Sequence, residues 1–221
     1  MKILGLTGSI ASGKTTVAGW LRACGIPVHD ADAAVHQLLA SGGEAVGPII
    51  DLFGPSVGSH AAGIDRKALG DIVFGQPDRR KALEAVLHPM VRQHRDWFLA
   101  DHRRAGTAIV VLDVPLLFET GGDSLCDHVI VVYARQETMR ARALARGGMT
   151  ADKFDAVVAA QMPVEDKLQR ADLALDSDLL PDQTQQCLYD WLATLGHNCR
   201  PSPQQDNGSQ AGIEETSQKS I

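Results

Sequence analysis

No run in this chain of 221 residues is long and apolar enough to cross a bilayer. A spanning protein is therefore not expected, nor a cleaved leader, since Met1 and Lys2 lead straight into an apolar run that reads as a strand. The four cysteines (Cys24, Cys126, Cys187, Cys199) show neither a C-x-x-C pair nor metal-ligand spacing, so reduced thiols in a cytoplasmic protein are expected. Positive charge is not in excess. The net charge of −6 argues against a general binder of nucleic acid or of an anionic membrane. An N-K-x-D element, which a guanine-reading switch would need, is missing, and no internal repeat is present. What remains, 44% hydrophobic and 22% charged, is an ordinary globular composition at a length that fits one α/β domain with inserted pieces.

Against those absences stands one complete pattern. Gly8-Ser9-Ile10-Ala11-Ser12-Gly13-Lys14-Thr15 fills G-x-x-x-x-G-K-[ST] without a mismatch. The apolar run Ile3–Leu6 precedes it and helix-like Val17–Arg22 follows it, the strand–loop–helix context of a phosphate-binding loop. Its glycines let the backbone curl round an anion, and the helix start adds the positive end of its dipole. Lys14 supplies a point charge for the β/γ-phosphates, and the Thr15 hydroxyl suits Mg²⁺. Together with Thr16, this stretch predicts binding of a nucleoside triphosphate.

Apolar runs at Ile3–Leu6, Ile26–His29, Ile109–Leu112 and Val129–Tyr133, with a weaker one at Leu173–Asp176, predict five buried parallel strands. Helical patterns between them imply a doubly wound sheet with helices on both faces. The segments 1–30, 105–135 and 171–196 form its nucleotide-binding core. Residues 31–104 contain only helical patterns and predict a helical substrate unit, because such an insert is too long for a loop. Residues 136–170, with Arg140, Arg142, Arg146 and Lys153, form a second helical excursion where a lid would sit. A last helix at about Asp182–Leu195 packs back on the core. Residues 197–221, poor in large apolar side chains, are expected to be disordered.

Other residues narrow the chemistry. Asp30-Ala31-Asp32 follows the second strand, at the carboxyl end of the sheet where ligands of open α/β folds bind. Asp32 suits a metal-supporting carboxylate or a proton acceptor, and equally an N-cap for a helix starting at Ala33. Asp113 ends the run Ile109–Leu112 in the manner of a Walker B carboxylate supporting Mg²⁺. Pro115-Leu116-Leu117-Phe118-Glu119 then offers either a pocket wall or a packed turn. His88 precedes Pro89, which disfavours helical geometry there and puts the imidazole at a helix junction. Arg142 and Arg146 share a helix face and suit a phosphate clamp or a solvated surface.

Taken together these residues resemble the dephospho-coenzyme A kinase family from Met1 to about Leu195. The landmarks run in order: Leu6–Thr16, Asp30-Ala31-Asp32 with His36, Asp65–Gly70 with Val73-Phe74, Leu87-His88-Pro89, Asp113–Glu119, Gln161-Met162 with Lys167, and Ala171-Asp172. The resemblance implies ATP-dependent phosphorylation of the ribose 3′-hydroxyl of dephospho-coenzyme A. On it, Gly8–Thr16 hold the ATP phosphates, and Asp32, Lys14 and Arg142 are catalytic. Thr15, Asp32 and Asp113 attend Mg²⁺, while His88 and Pro115–Glu119 lie near the acceptor. It further implies a cytoplasmic enzyme without nucleic-acid or membrane partners, a monomer being favoured. Rival readings are a kinase of a nucleoside monophosphate or sugar-like alcohol on the same fold, or a regulatory nucleotide switch.

Overall fold

The computed structural model describes residues 1–199. The expected disorder of 200–221 lies outside them. The elements run β1 (Lys2–Gly8), α1 (Lys14–Ala23), β2 (Val28–Asp30), α2 (Ala31–Leu39), α3 (Val46–Phe53), β3 (Gly58–Ser59), β4 (Gly63–Ile64), α4 (Arg66–Val73) and α5 (Pro77–Arg104). They continue through β5 (Ile109–Asp113), β6 (His128–Tyr133), α6 (Gln136–Leu144), α7 (Ala151–Ala159), α8 (Val164–Gln169), β7 (Leu173–Asp176) and α9 (Pro181–Thr194).

Five strands form one parallel sheet in the order β2-β5-β1-β6-β7. Successive side chains of a strand point to opposite faces, so β1 serves two cores. Leu4 and Leu6 pack with Val17 and Leu21 of α1 and with Leu188 and Leu192 of α9. Ile3 faces the other way, among Leu99 of α5 and Val110 and Leu112 of β5. Burial on both faces accounts for the unbroken apolar runs. The strand order reverses at β1, so the loop after it opens into the crevice at the sheet's carboxyl edge.

Residues 31–104 have their own core, in which Leu38, Ile49, Phe53, Val57 and Leu69 meet Leu83, Leu87 and Val91 of α5. A two-stranded hairpin, β3 with β4, interrupts the expected all-helical insert. Each of its strands has two residues, too few to leave a period-2 pattern. The junction expected at His88 is also corrected, because α5 runs unbroken through Pro89. The proline deprives one carbonyl of its donor. Packing holds the helix regardless: its first half is gripped by the core of the insert, and its second half by the sheet through Leu99.

Two further expectations change. Cys24 and Cys199 are joined as a disulfide, with Cα atoms 4.8 Å apart, while Cys126 and Cys187 are free. The pair is 175 residues apart in sequence, so no local spacing announces it. The packed chain also extends past Gly196, since His197 Nε2 lies 3.0 Å from the Cys24 carbonyl oxygen. Among the described residues no helix is long and apolar enough to cross a membrane.

Candidate active site

Sheet register brings the loop and the acids together. Asp30 on β2 pairs with Asp113 on β5, and Leu6 on β1 pairs with Asp113 from the other side. Lys14, the first residue of α1, forms an ion pair with Asp113. Burial raises the Asp113 carboxyl above its ordinary value; Lys14 opposes that rise, and the nearby charges of Asp30 and Asp32 add to it. A concentration of negative charge at the mouth of an anion-binding loop calls for a cation.

The loop is shaped for an anion by its backbone. Gly13 takes φ 94° and Ala11, not a glycine, takes φ 58°. A left-handed non-glycine residue costs about 1–2 kcal/mol and persists only where its surroundings demand it. Here Ala11 is buried against Ala134, just after β6, and against Met139, Ala143 and Phe154 of the second helical excursion. No side chain caps the start of α1; of its first-turn N–H groups, that of Thr16 donates to the Gly13 carbonyl at 3.0 Å. A Cβ on Gly8 would collide with the Val132 carbonyl oxygen.

Beside the loop is a cavity of about 280 Å³ bordered by Gly13, Thr16, Trp20, Arg142, Arg146 and Thr184. Arg142 is fixed there, donating from Nη1 to Ser177 Oγ and from Nη2 to the Ser177 carbonyl, both at 2.8 Å. Arg140, also expected in this region, pairs with Asp155 and lies over the Phe154 ring, 5.6 Å from its centroid.

A larger cavity of about 640 Å³ lies between α2, α5 and the loop after β5. Asp32, His88, Pro115, Leu116 and Leu117 border it, as do Leu83, Leu87 and Val91. Phe118 and Glu119 do not. Phe118 is buried under the Arg170 guanidinium, 4.3 Å from its ring centroid, and Glu119 turns to Lys167 and Met162. The wall is held close to the sheet because Gly5 leaves room for it. A Cβ there would stand 2.6 Å from Leu117 Cδ2. Thr7 Oγ1 donates to the Pro115 carbonyl at 3.0 Å, tying the wall to β1.

Asp32 is not the helix cap. Asp30 holds that place, accepting from Ala33 N at 3.0 Å, and α2 begins at Ala31 rather than Ala33. Asp32 is left in the first turn, facing the large cavity. Sequence reasoning missed Arg80, Arg92 and Arg95, which give that cavity positive charge, and Trp20 and Ser177 beside the small one. Basic residues on α5 at helical spacing were the available signal. It also missed His29, whose Nε2 lies 3.1 Å from His94 Nδ1. Burial, then His94 and Arg95, push the His29 imidazole down to about 4, so it is neutral at pH 7.

A phosphate loop at the switch point of this sheet, two helical excursions and a carboxylate at the rim of a deep cavity define a P-loop kinase of small molecules. The dephospho-CoA kinase (CoaE) profile matches residues 2–181, and the chain belongs to that family. A dephospho-CoA kinase of Paramagnetospirillum magneticum is 57% identical over 163 residues, spanning 74% of this chain and 76% of that protein. One from Symbiobacterium thermophilum is 46% identical over 197 residues, 89% of this chain and 82% of the relative. Among solved structures, TT1252 from Thermus thermophilus superposes with a TM-score of 0.75 at 34% identity, covering 87% of this chain and 96% of that one.

Proposed function

We infer that this chain transfers the γ-phosphoryl group of ATP to the ribose 3′-hydroxyl of dephospho-coenzyme A, yielding coenzyme A and ADP in the final step of coenzyme A biosynthesis. One observation carries this reading: Asp32 borders the large cavity, and its charge is felt by Asp113, the carboxylate that pairs with Lys14 of the phosphate loop. An acceptor hydroxyl held in that cavity would lie between a proton acceptor and the phosphoryl donor.

The loop Gly8–Thr16 takes the triphosphate through backbone N–H groups, and Lys14 takes the β- and γ-oxygens. The adenine fits the smaller cavity against Trp20, where Arg142, held by Ser177, reaches the phosphates. Asp32 accepts the proton of the 3′-hydroxyl as attack begins. His88, Pro115, Leu116 and Leu117 line the acceptor's place. The apolar walls suit its pantetheine arm, and Arg80, Arg92 and Arg95 suit its pyrophosphate. Residues 31–104 act as the acceptor unit and 136–170 as a lid that excludes water, suppressing hydrolysis.

The donor set fits Mg²⁺. Thr15, the second residue of α1, offers its hydroxyl, and Asp113 and Asp32 add carboxylate charge. Such an ion keeps several waters and takes phosphate oxygens along with one or two carboxylates. When bound, it would neutralise charge on the transferring group. A cytoplasmic monomer without nucleic-acid partners belongs to the same proposal, supported by the net charge of −6.

The test offers dephospho-coenzyme A, AMP and adenosine separately with Mg-ATP and measures ADP release. Stimulation by dephospho-coenzyme A alone supports the assignment. Stimulation by AMP, or slow release indifferent to every acceptor, overturns it.

A further inference from the structure

Donor and acceptor sites are joined directly through the sheet, where Thr7 holds Pro115. A second connection runs outside the sheet through residues that neither site uses. The turn between α7 and α8 carries Gln161 and Met162. Ile10 N, in the phosphate loop, donates to Gln161 Oε1 at 3.1 Å. Met162 N, the next residue along, donates to Glu119 Oε1 at 2.8 Å. Two consecutive residues thus hold the donor loop on one side and the end of the acceptor wall on the other.

The grip on Glu119 is reinforced from beneath. Lys167 of α8 is fully buried, and its Nζ lies 2.9 Å from Glu119 Oε1. That separation is an ion pair, although the ammonium has no partner in hydrogen-bond alignment among the described residues. A buried lysine is costly without a counter-charge, so this pair fixes the relative position of α8 and the wall. Met162 packs with Leu117, Phe118 and Val131, and Arg170 donates to Asp123 at 2.6 Å just beyond the wall.

We propose that Gln161, Glu119 and Lys167 form a strut that sets the phosphate loop in register with the acceptor wall, acting as positioning residues that touch neither substrate. In-line transfer makes such a device valuable, because an error of about 1 Å in placement costs on the order of 100-fold in rate. The strut gives the loop a second hold on the wall, so nucleotide bound at the loop steadies the place where the acceptor docks. This rests on the phosphotransfer assignment for its kinetic consequence, but not for its mechanical one.

The test uses the full chain and its Gln161→Ala, Glu119→Gln and Lys167→Met variants. Hydrogen exchange is followed in residues 116–125 with and without a non-hydrolysable ATP analogue. In the wild type the analogue should slow exchange there at least about threefold, and in Gln161→Ala the response should vanish while the analogue still binds within threefold of wild-type affinity. Steady-state assays should show kcat for CoA formation down at least tenfold, with KM for each substrate nearly unchanged and more ADP released per CoA formed. Gln161→Ala combined with Glu119→Gln should be no worse than the poorer single variant, as members of one device are not additive. Lys167→Met keeps the packing and guards against loss by misfolding. Equal protection of residues 116–125 in wild type and Gln161→Ala, no protection in either, or additive losses would overturn the strut. A wild type that makes no CoA would count against the phosphotransfer assignment instead, and the exchange experiment would still decide the strut.

Discussion

The Gly8–Thr16 loop is built from nine consecutive residues and shaped by its backbone, whereas the large cavity is lined by side chains delivered by α2, α5 and the loop after β5, far apart in sequence. The first is a local object: two glycines, one strained alanine and an uncapped helix start. The second exists only after the insert has folded on its own core and α5 has bridged that core to the sheet. Substitutions in the loop should therefore act on chemistry, and substitutions around the cavity on acceptor binding and on stability.

Breaking the loop should have the largest effect. Lys14→Ala removes the charge on the γ-phosphate end and frees Asp113 from its partner, and should lower kcat for CoA formation by at least about 100-fold. Steady-state assays check this; a loss under tenfold would count against the placement of Lys14. Asp32→Asn sits on the boundary between the two regions. It should reduce turnover by about 100-fold while an ATP analogue binds as before, measured by calorimetry. Near-normal turnover would remove Asp32 from proton transfer.

Two other substitutions should act on stability. Cys24→Ser should lower stability by about 2–4 kcal/mol under non-reducing conditions and by little with reductant present, read by denaturant unfolding. His29→Leu should flatten the acid limb of the stability profile. A buried imidazole pushed down to about 4 leaves the unfolded chain binding the extra proton first. The wild type should therefore lose stability as pH falls from about 6.5 toward 4, by up to about 3 kcal/mol, and the variant should lose less.

The same contrast explains what could be read from the chain alone. The loop and the five strands were legible because each rests on neighbours within a few residues. The hairpin was too short for a pattern, and Pro89 misled because packing at both ends of α5 outweighs a local penalty. Asp30 and Asp32 are both good caps by type. Only the start of α2 at Ala31 assigns the role to Asp30 and leaves Asp32 free. Arg80, Arg92 and Arg95 look like a solvated face until the wall of Pro115–Leu117 closes opposite them. Phe118 and Glu119 continue that wall in sequence but turn away from it in space.

The most direct measurement of the central claim is phosphorus NMR of the product formed from Mg-ATP and dephospho-coenzyme A. One new phosphomonoester resonance, assigned to the ribose 3′ position, should appear in equal amount with ADP. Free phosphate as the only new species, or a monoester at another position, would contradict it.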